Sequence, residues 1–93
     1  MMPYYEIVWT DYVQYRAELR GYELAQIERI LRYSAERYVD TLTERLIAVG
    51  HIEDVLVIIP YELASKRMTP VTVHATTRQQ INLRLKTGRF ANE

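Results

Sequence analysis

The chain has 93 residues, twelve basic and twelve acidic side chains and no cysteine, and 48% of it is hydrophobic against 26% charged. This bounds it to one small folded domain over residues 1–93, too apolar for disorder and without disulfide or thiolate chemistry. The longest strongly apolar run, Val55 to Ile59, is far below the ~18 residues of a membrane span, and Met1 to Glu6 carry neither the basic nor the apolar part of a leader, so a cytoplasmic protein is expected.

Tyr4 to Trp9 reads as an extended lead-in. Thr10 or Asp11 is placed to cap a helix near 11–20, and Gly21 to stop it. Within that helix Tyr12, Arg16 and Arg20 form one stripe. A second helix is expected near 23–35, where Leu24, Ile27, Leu31 and Ser34 keep a 3–4 spacing and Ile30 widens the apolar face. Arg29 and Arg32 fall outside that stripe and are expected in solvent. From Arg37 the pattern turns β-like: strands near 37–40, 45–52 and 54–61, with a turn at Asp40 to Thr43. Gly50 marks a bulge or a close backbone approach. Val55 to Ile59, apolar without interruption, is the signature of a central strand covered on both faces. Pro60 cannot donate to a ladder and is expected to end that strand, with a polar loop from Leu63 to Arg67.

The stretch from Met68 to Phe90 follows. Thr69, Val71, Val73 and Ala75 alternate with Pro70, Thr72 and His74, the period of a half-buried strand near 69–75. Thr77 and Gln80 then match a capping box for a helix near 77–87, with Ile81 and Leu85 facing the sheet and Gly88 ending it. Polar and cationic residues gather where the strand meets the helix N-terminus, whose free amides favour anions. The charge is uneven too: residues 1–65 hold six Arg against eleven Asp and Glu, whereas residues 66–93 hold six Lys and Arg against Glu93 alone. This marks an acidic body with a basic surface for nucleic acid or an acidic partner, or simply a solvated last helix. The expected fold is α+β: two N-terminal helices, an antiparallel sheet of three to four strands with helices on one face, and a C-terminal helix.

The pattern of Tyr12, Arg16, Arg20-Gly21-Tyr22, then Val49-Gly50, Leu56 to Glu62 and Thr69 to Gln80 resembles a small bacterial domain family related to the BrnT and RelE toxins of type II toxin–antitoxin systems. The resemblance implies a RelE/BrnT-like fold over most of the chain, cleavage of RNA, and silencing by an antitoxin. Tyr12 stands where related sequences often carry His, and such toxins tend to be more basic than this chain.

Metal-independent RNA cleavage requires a base, an acid and a cation for the phosphorane. His74 suits the first two roles near neutrality. Arg78 could hold phosphate in a two-pronged contact, and Tyr61 at the end of the central strand completes a candidate catalytic set. Arg84, Lys86, Arg16 and His51 are candidate RNA contacts, with Arg16 better suited to anchoring the sheet through Glu62 or a backbone carbonyl. Two histidines so far apart give no metal-ligand set, and no phosphate loop or dinucleotide fingerprint is present, so no cofactor is expected. Seven of the eight tyrosines lie between Tyr4 and Tyr38, fit for base stacking or a protein interface. On the last helix Leu83 points away from the core-facing stripe, near the position Phe90 would take if the helix continued, which suggests a homodimer or antitoxin contact. Two classes therefore stay open: a ribonuclease toxin, or a non-catalytic interaction domain with the same fold.

Overall fold

The computed structural model describes residues 4–93; Met1, Met2 and Pro3, part of the stretch read for a leader, lie outside them. The elements run β1 (Glu6–Ile7), α1 (Asp11–Arg20), α2 (Leu24–Tyr33), β2 (Glu36–Asp40), β3 (Leu46–Ile52), β4 (Val55–Ala64), β5 (Arg67–Pro70), β6 (His74–Ala75), α3 (Arg78–Lys86) and β7 (Phe90–Asn92).

Local chemistry sets the helix ends. Thr10 accepts from the Val13 amide at 3.2 Å, and Gly21 closes α1 at φ 74°, a left-handed conformation that costs glycine nothing. For α2, the Gln26 side chain accepts from the Glu23 amide at 3.0 Å. Thr77 accepts from the Gln80 amide at 3.1 Å, but Gln80 turns its own side chain to the Thr76 hydroxyl. Only half of the expected capping box therefore forms on α3.

The sheet departs from expectation. It has seven strands in mixed orientation, ordered β1-β5-β4-β3-β2-β7 with β6 also beside β4, and β1 runs parallel to β5. Three or four antiparallel strands with a C-terminal helix is thus corrected. The additional strands β1 and β7 are two and three residues long, too short to show a period of their own. Ladders formed elsewhere recruit them: Glu6 and Val8 donate to Lys66 and Met68 at 3.0 and 2.9 Å, and β7 pairs with β2.

The helices also lie on both faces instead of one. Ala17, Ile27, Ile30 and Leu31 of α1 and α2 pack with Ala48, Ile52, Val57, Ile59 and Tyr61. Ile81 of α3 packs with Ile47, Val49, Ile58 and Phe90. The alternation of β3 and β4 sorts these residues, and the unbroken apolar run of β4 is what two covered faces require. Gly50 stays in register opposite Val57, and a Cβ there would meet Ile30 at 2.8 Å. Its role is close approach of α2, with no bulge. Arg32 is drawn inward and donates to Glu28 and to the Tyr5 carbonyl, both at 2.7 Å, while Arg29 is exposed.

Pro60 does not end its strand: β4 continues to Ala64 and turns into β5 through Ser65 and Lys66 at φ 51° and 63°. That two-residue turn needs positive φ at both positions but carries none of the Asn or Gly that would announce it. The expected alternation of 69–75 breaks as well. β5 pairs Tyr61 with Pro70, and β6 pairs Ile58 with His74. Two residues of β4 (59 and 60) therefore face three of the other strand (71 to 73), which is a β-bulge. Its cause is chemical. The Val71 amide donates to the Pro60 carbonyl at 2.8 Å, and Pro60 has no N–H to return the bond that would continue the ladder.

Candidate functional site

The bulge decides which face His74 occupies. Were the β4–β5 register continuous, His74 would stand opposite Val57 and face α1 and α2; the extra residue moves it opposite Ile58, on the α3 side. A one-residue slip reverses every side chain beyond it. Val73 stays in the α1/α2 core, while Val71, Thr72 and His74 line a cleft of about 240 Å³ on the α3 face.

Arg84 from the last turn of α3, Arg89 after Gly88 and Arg45 before β3 join them over a floor of Ile47, Ile58, Pro60 and Phe90. The arginines differ in how they are held. Arg89 donates to Asp40 at 2.7 Å and Arg45 to Glu62 at 3.3 Å. Arg84 lies over the Phe90 ring at 5.4 Å and has no carboxylate partner among the described residues. Asp40 also lines the cleft, accepting from the Leu42 and Thr43 amides at 2.9 and 3.2 Å, and the Arg89 guanidinium holds its carboxyl below the usual range. With Arg89 paired to Asp40 and Arg45 to Glu62, Arg84 is the cation that leaves the cleft positive.

Among the described residues, two polar groups at this site have no partner: the buried Thr72 hydroxyl and the Arg16 Nε. Arg16 comes from α1 to the edge of β6, its Nη2 lying 3.4 Å from the Val73 carbonyl and 3.5 Å from His74 Nδ1. Partial burial, then the charges of Arg16, Arg84 and Arg20, push the His74 pKa down. The ring is therefore neutral at physiological pH.

The other residues singled out in the sequence lie elsewhere. Tyr61 faces the α1/α2 core, 1% exposed, its hydroxyl accepting from Arg37 at 2.9 Å and its pKa raised by burial. Arg78 is engaged by Glu36, which also accepts from Tyr38 at 2.7 Å. That contact holds the Glu36 carboxyl below its usual range and ties the start of α3 to β2. His51 is exposed on the α3 face opposite Leu56, and Lys86 is exposed at the end of α3. Glu62 pairs with Arg45, leaving Arg16 the backbone carbonyl. Leu83 is 60% exposed, whereas Phe90 is buried against Tyr38 with ring centroids 5.7 Å apart. The two do not form the expected joint patch.

The sequence singles out none of Arg45, Thr72 and Asp40. The excess of cations after residue 66 points toward Arg89; nothing local connects it to Arg45 or Asp40, which meet it only through the β2–β7 and β2–β3 pairings. Among the described residues, no group of three or more His, Asp or Glu is placed to hold a metal ion. Comparison with protein-family models, curated proteins and solved structures finds no match to this chain.

Proposed function

We propose that the cleft beneath α3 holds a phosphodiester of an RNA strand, and that the chain acts on RNA in the cytoplasm. The observation that carries this reading is the convergence of Arg84, Arg89 and Arg45 beside His74 with a single lining carboxylate. Arginine is suited to phosphate because its planar donors match two oxygens at once. Arg84 is the principal contact, since no carboxylate must be displaced before it binds. The decisive measurement is binding of a labelled oligoribonucleotide across a salt series. Arg84→Glu should weaken binding at least tenfold and flatten the salt dependence, with little change in the thermal midpoint. Equal binding by wild type and variant sinks the proposal.

A second reading, metal-independent cleavage as in a ribonuclease toxin, is favoured by the depressed pKa of His74. A neutral imidazole can take the 2′-hydroxyl proton as that oxygen attacks phosphorus and the bond to the 5′ oxygen breaks; the departing 5′ oxygen takes a proton from solvent water, giving a 5′-hydroxyl end and a 2′,3′-cyclic phosphate, and the imidazolium returns its proton to solvent. Incubation of RNA with excess chelator tests it. Wild type should yield cyclic-phosphate ends and His74→Ala none; intact RNA in both leaves binding without turnover. In either case an acidic antitoxin segment, or a second copy, would meet the exposed Leu83 with Arg84 and Lys86 around it. Growth arrest on induced expression, relieved by a neighbouring gene product, is the matching test in cells.

A further inference from the structure

His74 has two ring nitrogens, and the structure distinguishes them. Nδ1 lies 3.5 Å from Nη2 of Arg16, which is held from α1 by the Val73 carbonyl. A guanidinium donates only; it has no lone pair to offer. The contact is therefore a hydrogen bond in just one tautomer of the neutral ring, the one whose Nδ1 carries a lone pair. The imidazole proton then sits on Nε2.

We propose that Arg16 is a positioning residue: it fixes the proton of His74 on Nε2, so that His74 meets a phosphate in the cleft as a hydrogen-bond donor. This rests on the reading of the cleft as a phosphate site and deepens it. Arg84 and His74 line the same cleft and present donors to one small volume, over the closed-off hydroxyl of Thr72. The ligand class they select is an oxyanion rich in lone pairs, a phosphate diester or monoester, over any neutral sugar or base edge.

The same geometry bears on turnover. With Nδ1 engaged by Arg16 and Nε2 protonated, neither nitrogen is free to take a 2′-hydroxyl proton. Acting as base requires release of Arg16 or exchange of the ring proton. In its resting form the site recognises phosphate.

Nitrogen-15 NMR of the histidine rings, at a pH where both are neutral, reads the tautomer directly. Exposed His51 serves as the internal reference. In wild type, His74 Nδ1 should resonate as an unprotonated nitrogen and Nε2 as a protonated one, with less tautomer averaging than His51. Arg16→Met should move His74 toward the His51 pattern, and Arg16→Lys, another donor without a lone pair, should restore it. A protonated Nδ1 in wild type overturns the proposal even if Arg16→Met fails to fold, and so does an Arg16→Met spectrum identical to wild type. Inorganic phosphate and a short oligoribonucleotide are then titrated into the same sample. A shift of the His74 Nε2 signal by both supports the donor role. Phosphate binding with the opposite tautomer removes the Arg16 inference and leaves the RNA reading standing. The expected tautomer with no response to either probe removes the RNA reading and the donor role with it.

Discussion

Against one face of the sheet α2 sets Ile27, Ile30 and Leu31 among Ala48, Val57 and Ile59, while on the other α3 commits a single fully buried side chain, Ile81. The first face is closed by packing: Gly50 lets α2 sit against the backbone, Arg37 satisfies the Tyr61 hydroxyl, and the Ser34 hydroxyl donates to the Val49 carbonyl. The second face is closed by packing only near Ile81 and Phe90. Elsewhere it is held by polar ties, Arg78 to Glu36 and Arg89 to Asp40. The cleft lies where the apolar cover gives out. The contrast teaches that stability and chemistry are assigned to opposite sides of one set of strands.

If the α1/α2 face dominates stability, Leu31→Ala should have the largest effect, about 2–5 kcal/mol in denaturant unfolding. Ile81→Ala should fall at the low end of that range and strip hydrogen-exchange protection from α3 before α2. The reverse order would undo the comparison. Gly50→Ala comes next, at about 1–3 kcal/mol, because the new methyl meets the stiff branch of Ile30. Adding Ile30→Ala should recover part of that loss, and strict additivity in the double-mutant cycle would remove close approach as the cause.

On the polar face, Asp40→Asn should cost about 1–3 kcal/mol, since a buried charged acceptor is weakened beside its Arg89 partner. The pH dependence has a definite sign. Asp40 and Glu36 have folded-state pKa values below their unfolded ones. Their contribution is present above the ordinary carboxylate pKa of about 4 and is lost as pH falls through the lower folded values. Because the His74 pKa is depressed as well, a first small loss of the thermal midpoint should begin below about pH 6.5, and the larger carboxylate loss should follow under more acidic conditions, less steeply in Asp40→Asn. The smallest effect belongs to Arg78→Gln, because its pair with Glu36 is half exposed and screened by solvent. A midpoint loss as large as that of Ile81→Ala would mean that polar ties, not the one apolar anchor, hold α3.

The sequence by itself determined the local elements and the central strand. Thr10, Gly21, Thr77 and Gly88 act within a few residues of the helix ends they set, and the run from Val55 to Ile59 reports its two covered faces through composition alone. The expectation that Gly50 marks a bulge or a close approach needed only its lack of a side chain, and the position of α2 chose between the two. Tertiary structure decided the rest. Strands of two or three residues, such as Glu6–Ile7 and Phe90–Asn92, have no period to read and exist because a neighbour offers free hydrogen-bonding groups. The side of the sheet reached by His74 depends on a bulge created by Pro60, fourteen positions earlier, through a hydrogen bond that proline cannot make. A pattern of alternation records that side chains change face at each step; where a strand slips by one residue is fixed only when its partner is in place.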